Sequence, residues 1–212
     1  TGNDSMKFNY NGISQFSSVR NRSASSTLDK LGFKSSGTNL NLRYANNSIL
    51  ADSLFGIQYN ISDNPIDKYG FKDIYQKDNI TLYENQYSLP IAFASQSVYN
   101  DVKYNEHTLD NQASFLNQLA NVNFDYFSPI PYDKTENTND LISVTSSSNE
   151  DAAIQYQIEV PENSQVYLSF TNLHFSNDKQ KKVDILVNGE KKTFTTDNAF
   201  NFFNLGYTEE EK

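Results

Sequence analysis

The sequence predicts an α+β protein, with a mixed α/β domain over residues 1–126 followed by a β-sandwich over 127–212. Three observations predict it. Residues 108–120 carry a helical apolar face of Leu109, Leu116 and Ala120, with Phe115 and Leu119 beside it. Later in the chain, apolar residues instead alternate with polar ones, as in Ile154, Tyr156, Ile158 and Val160. Between these regions, Pro129, Pro131 and the polar stretch 133–140 read as a linker.

Within the first part, Ser25-Ser26-Thr27 followed by Leu28, Leu31 and Gly32 reads as a short capped helix with a glycine stop. Asn47-Ser48 opens a second helix, with Leu50 and Leu54 one turn apart and Gly56 at its end. Residues 57–61 alternate like a strand, and 74–83 read as a hairpin turning at Lys77-Asp78-Asn79. The apolar run Pro90-Ile91-Ala92-Phe93-Ala94 reads as a buried strand, and Thr108 as the cap of the helix it opens. In the second part, Val166, Leu168 and Phe170 form one strand. Val183, Ile185 and Val187 form another, leading into Asn188-Gly189, a strong hairpin signal.

Composition excludes several classes of function. The chain has 212 residues, 17 Lys and Arg against 26 Asp and Glu, and a net charge of −9. Such a balance argues against a nucleic-acid binder, which needs a basic face to release phosphate counterions. No apolar run approaches the ~20 residues of a membrane helix. With no Cys, disulfides, thiolate nucleophiles and cysteine metal sites are excluded. Aliphatics are scarce, so the 15 Phe and 14 Tyr must supply most of the core. The chain opens at Thr1 and its one Met is Met6, which reads as a segment of a longer protein.

Catalytic chemistry finds few candidates. A nucleophilic triad needs a base such as His, and only His107 and His174 are present, at the start of a helix and in a strand-like run. Two distant histidines give no zinc site. The acidic clusters Glu150-Asp151, Asp110 and 209–211 read as solvated charge rather than a glycosidase pair, which must face each other across a cleft. No glycine-rich phosphate loop, dinucleotide fingerprint or calcium loop is visible, so no metal and no cofactor are assigned. One polar loop stands out. Ser17, Ser18, Arg20 and Arg22 gather hydroxyls and cations ahead of a helix start, a composition able to hold a phosphate or a sugar hydroxyl. The aromatic residues can also supply stacking platforms for sugar rings.

Four phrases carry a resemblance. They are Gly12-Ile13-Ser14-Gln15-Phe16-Ser17-Ser18 with Leu28-Asp29-Lys30-Leu31-Gly32-Phe33; Asp52-Ser53-Leu54-Phe55-Gly56-Ile57-Gln58-Tyr59-Asn60-Ile61; Tyr83-Glu84-Asn85-Gln86-Tyr87-Ser88-Leu89-Pro90-Ile91-Ala92-Phe93; and Leu109-Asp110-Asn111-Gln112-Ala113-Ser114-Phe115-Leu116-Asn117. In order and spacing they resemble the YfhO family of bacterial polytopic membrane proteins, over roughly the first 120 residues. The resemblance implies a glycosyltransferase-type parent that uses lipid-linked sugars and decorates cell-wall polymers such as lipoteichoic acid. It implies that this chain is its extracytoplasmic region, tethered by membrane helices outside this sequence. The family's catalytic acids lie in a loop between early membrane helices, so no catalytic residue carries over to this chain. The matched phrases read as structural: Gly32 as a helix stop, Gly56 as a helix-to-strand turn and Leu89-Pro90 as the start of a strand. The expected function is therefore accessory: a non-catalytic region contacting a cell-wall glycopolymer or lipid-linked sugar. The alternatives are a surface glycan-binding module or adhesin without linked enzyme, and a glycoside hydrolase.

Overall fold

The structure, a computed structural model, describes residues 3–17, 19, 21–33, 41–42, 44, 47–95, 102–130, 158–169, 181–187, 189–196 and 202–209. It is a mixed α+β fold with several small antiparallel sheets. In chain order the elements are α1 (Asp4–Phe8), β1 (Gln15–Phe16), α2 (Arg22–Lys30), β2 (Asn41–Leu42), α3 (Ile49–Leu54), β3 (Tyr59–Ser62), β4 (Phe71–Lys77), β5 (Ile80–Asn85), α4 (Thr108–Ala120), β6 (Ser164–Ser169), β7 (Lys181–Val187), β8 (Glu190–Thr196) and β9 (Phe202–Thr208). The sheets are β1-β2, β3-β5-β4, β6-β9 and β7-β8.

Local chemistry sets most of the ends. Ser48 caps α3 by accepting from Ala51 N at 3.1 Å. Gly56 follows the helix at φ +64, and Leu89 O lies 3.2 Å from where its Cβ would be. Any side chain there would be strained by its backbone and crowded by that carbonyl. The hairpin turns at Asp78 and Asn79 with Lys77 opposite Ile80, and Asp78 takes the positive φ that such two-residue loops require. The β7–β8 hairpin forms as expected, with Gly189 at φ +84.

Four expectations are corrected. Helix α2 begins at Arg22, earlier than Ser25, because Asn21 caps it by accepting from Ala24 N at 3.1 Å. Helix α4 does begin at Thr108, but its N-cap position is His107, with no side-chain capping bond. Residues 90–94 form no strand, and Ile91 and Phe93 are exposed. Leu89 N donates to Ser53 O at 2.9 Å, which ties this segment to the end of α3 instead of to a strand edge, and Pro90 has no N–H to offer a ladder. Residues 158–160 lie outside any strand, whereas 154–157, Phe170, His174 and the linker 133–140 lie outside the described residues.

Two apolar clusters form the described core. Leu31, Phe33 and Ala51 are buried with Leu28, Phe55 and Phe115 against them, and Phe33 meets Phe55 edge-on at 4.9 Å. Phe202 and Phe203 are buried against Leu109 of α4, Tyr167 and Leu168 of β6, and Ile185 of β7. Strand β9 is thus covered from several sides, which accounts for its nearly continuous burial.

Polar side chains join the clusters. The innermost residues of α4 beyond Thr108 are Asn111 and Gln112, not its leucines. Gln112 Nε2 donates to Leu31 O at 3.0 Å and to Asn47 Oδ1 at 2.9 Å, and its Oε1 accepts from Ser48 Oγ at 2.5 Å. Asn47 Nδ2 donates to Leu31 O at 2.9 Å, and Asn204 Nδ2 of β9 reaches Asn47 O at 3.3 Å. Gln112→Leu would leave Asn47 Oδ1 and the Ser48 hydroxyl short of partners in a buried site. It should cost roughly 2–4 kcal/mol, read as a lowered midpoint in urea unfolding with little change in slope.

Candidate functional site

Four constellations are candidates for function, and their chemistry differs. The first is a buried ion pair. Asp52 is carried by α3 and Lys68 by the loop ahead of β4, and both side chains are fully buried. Lys68 Nζ lies 2.5 Å from Asp52 Oδ2, and the Tyr44 hydroxyl donates to the same oxygen at 2.8 Å. Asn60 Nδ2 and Lys68 Nζ donate to the Tyr44 oxygen at 3.0 and 3.1 Å. Lys68 also sits 4.7 Å over the Phe71 ring. Asp52 Oδ1 and Ser53 Oγ are buried without a hydrogen-bond partner among the described residues. Burial raises the Asp52 pKa, against the opposing pull of Lys68 and Tyr44, and lowers that of Lys68. Burial also raises Tyr44, with the Asp52 charge adding to it. A fully sealed pair cannot meet a substrate, so its role is to fasten α3 to the sheet.

The second is an open shelf of tyrosines. Tyr69 and Tyr87 stack at 5.5 Å and 14°, with their hydroxyls 3.0 Å apart. Tyr207 of β9 lies 5.3 Å from Tyr69 at 44°. Tyr69 is 45% exposed and Tyr87 50% exposed. The hydrogen bond with Tyr69 raises the Tyr87 phenol above its ordinary pKa. Gly70, at φ +77, lies against the Cδ2–Cε2 edge of the Tyr87 ring, where a Cβ would come within 2.5 Å of Cδ2. Beside the shelf the Asp67 carboxylate rests over Gly206, with Lys192 Nζ 3.9 Å from it.

The third is an open cleft of about 270 Å³ beside α4, lined by Asp110, Ser114, Asn117, Asn123, Asp125 and Tyr126 among others. Asn117 fixes the following loop by bonding Phe124 O at 3.0 Å and Phe124 N at 3.1 Å. Asp110 and Asp125 are both exposed to water. A glycosidase acid instead sits in a shielded, apolar setting.

The fourth is the loop singled out in the sequence. Ser17 Oγ donates to Val19 O at 2.5 Å and accepts from Val19 N at 3.2 Å, so this hydroxyl closes its own turn. Arg22 is exposed in the first turn of α2. Ser18 and Arg20 lie outside the described residues. No group of three metal-ligating side chains occurs among the described residues.

The whole chain, residues 1–212, matches the family described as bacterial membrane protein YfhO. The chain belongs to the YfhO family. No curated protein and no solved structure matches it. Among the described residues, no helix of this YfhO chain is long and apolar enough to cross a membrane. Sequence reasoning named neither the ion pair nor the shelf. Their residues stand far apart in the chain, and the available signal was no more than the richness in Tyr.

The ion pair makes a sharp prediction. Lys68→Met would leave the Asp52 carboxylate buried alone and should cost about 3–5 kcal/mol at pH 7. A folded-state pKa raised above the ordinary 3.8 contributes stability that is full below 3.8 and lost as pH rises through the folded value. The deficit of Lys68→Met should therefore shrink as pH falls from 7 towards 4, and Asp52→Asn/Lys68→Met should recover most of it. Urea unfolding of the three proteins at both pH values checks this.

Proposed function

We propose that this chain is the extracytoplasmic region of a membrane glycosyltransferase-type protein, tethered by helices outside this sequence, and that it holds the acceptor, a cell-wall glycopolymer such as lipoteichoic acid. The observation that carries the reading is YfhO membership over the full length. The role is accessory and non-catalytic, with the sugar-transfer chemistry performed elsewhere in the parent protein. Support comes from the contrast among the constellations: the Asp52–Lys68 pair is sealed from solvent, while the tyrosine shelf and the polar cleft are open, as surfaces for binding must be. In this reading the Ser17, Ser18, Arg20 and Arg22 loop meets the polymer's phosphates, since it offers cations on an otherwise acidic chain. The C-terminal strands form two leaves of a β-sandwich over 127–212, a reading supported by Ile185 of β7 packing on Phe202 and Phe203 of β9.

Titration of the isotope-labelled chain with lipoteichoic acid fragments, followed by NMR, tests the acceptor reading. Amide shifts that saturate at millimolar ligand are expected, and a spectrum unchanged there would leave the region a bracing role only. Arg20→Ala/Arg22→Ala should weaken binding severalfold at low salt and much less at high salt, because exposed charges are screened over about 10 Å at 0.1 M.

A further inference from the structure

The geometry points to the Tyr69–Tyr87–Tyr207 shelf as a binding site for an uncharged pyranose ring, with Asp67 as the acceptor for its hydroxyls. The inference rests on the acceptor reading for the source of the sugar, and on the shelf alone for the site.

The three rings come from separate parts of the chain: Tyr69 ahead of β4, Tyr87 just after β5 and Tyr207 in β9. Each is anchored through other residues. Tyr69 N donates to Gln165 Oε1 at 2.8 Å, and Gln165 Nε2 donates to Asn204 Oδ1 at 2.7 Å. Asn204 reaches Asn47 O, so the shelf is braced against the polar hub of the core. Tyr87 N donates to Asn85 Oδ1 at 2.9 Å, and Asn85 itself is buried. Tyr207 Oη donates to Asn163 Oδ1 at 3.3 Å. The backbones of Tyr69 and Tyr87 and the hydroxyl of Tyr207 are thus held, and the contact between the Tyr69 and Tyr87 hydroxyls ties those two rings together, so less ordering is needed when a ligand arrives.

The chemistry of the surface selects the ligand. Aromatic faces carry negative quadrupole charge and attract the weakly positive C–H face of a sugar ring. A carboxylate accepts hydrogen bonds and donates none, which suits sugar hydroxyls. Asp67 is half exposed at 54% and sits two residues before Tyr69 and over the glycine preceding Tyr207. Lys192, the cation beside it, already donates to Leu205 O and faces Asp67. A phosphate would therefore meet a carboxylate with its neighbouring cation engaged, and like charges repel. The sugar substituents of a polymer fit this shelf, and its phosphates do not.

The test uses the labelled 212-residue chain with methyl glucosides and N-acetylglucosamine, and separately with glycerol phosphate. At least one neutral sugar should shift the amides of Tyr69, Tyr87, Gly206 and Tyr207 at millimolar concentration, and glycerol phosphate should leave them unmoved. Tyr87→Ala should weaken sugar binding about tenfold or more, Tyr87→Phe much less, because the ring face survives. Asp67→Asn should weaken it while leaving amides remote from the shelf in place. Those remote amides also report whether each variant is folded. The inference is overturned if no neutral sugar moves the shelf amides, if a folded Tyr87→Ala binds as well as the parent, or if glycerol phosphate competes there. Lipoteichoic acid binding elsewhere on the chain would sink the shelf and keep the acceptor reading. Sugar binding at the shelf without polymer binding would do the reverse.

Discussion

The fold hangs on a buried amide hub. Asn47 and Gln112 share the carbonyl of Leu31, and the Asn47 oxygen accepts from both Gln112 and Ser48 N. Through these two side chains the end of α2, the cap of α3 and the middle of α4 meet at one place, and Asn204 brings β9 to it. Helix α4 would gain more from burying leucine if area alone decided. Its buried face carries Asn111 and Gln112, whose side-chain amides donate to the carbonyls of Lys30 and Leu31 at the end of α2 and of Asn105 ahead of α4. A buried carbonyl left without a partner costs more than its hydrogen bond gains when made. The hub therefore sets the relative placement of elements that the small apolar clusters alone would hold loosely.

The ion pair performs a related task at higher cost. Desolvating two charges offsets much of their attraction, and Asp52 Oδ1 adds a buried acceptor with no partner among the described residues. An apolar pair of similar volume would bind α3 to the loop before β4 without those penalties. The geometry of the present pair is more restrictive. One carboxylate oxygen accepts from Lys68 and Tyr44 together, and Tyr44 accepts from Asn60 of β3. Four segments, those of Tyr44, Asp52, Asn60 and Lys68, must be in register for the network to close. This favours a role in specifying one arrangement over a role in raising stability, as polar groups buried in cores sometimes do. Lys68 stands next to Tyr69, so the same arrangement positions the first ring of the shelf.

The sequence was legible where a signal is local. The Ser48 cap with Gly56 eight residues on, the α4 apolar period, and the turns at Asp78 and Gly189 are written in adjacent residues. Family membership was legible from four ordered phrases. Strand β9 was missed because Phe202, Phe203, Asn204 and Leu205 do not alternate. The run Phe202-Phe203-Asn204-Leu205-Gly206-Tyr207 did carry a signal, as a short aromatic-rich stretch before an acidic end. Residues 90–94 erred in the opposite direction: a run of apolar residues was read as buried, yet burial depends on what lies opposite, and no strand pairs with it. Asp52 and Lys68 are ordinary surface residue types in isolation. Only their 2.5 Å approach gives them meaning, and no periodicity encodes a contact between residues 52 and 68.

The same distinction separates two exposed surfaces. The outer face of the β3-β5-β4 sheet shows Tyr59, Ile61, Tyr75 and Ile80 to solvent, while its inner face turns Asn60 and Asn85 into the hydrogen-bond network. That outer face pairs two tyrosines with two isoleucines, and such exposed apolar area favours any apolar neighbour. The tyrosine shelf differs in kind. The Tyr69 and Tyr87 backbones are fixed by Gln165 and Asn85, the Tyr207 hydroxyl is held by Asn163, and the Asp67 carboxylate stands two residues before Tyr69. Exposed apolar area with fixed polar groups at its rim is what orients a small ligand, since the polar groups set direction and the rings supply contact area. On a chain with net charge −9, an uncharged ring is also the part of an anionic polymer that meets the least repulsion.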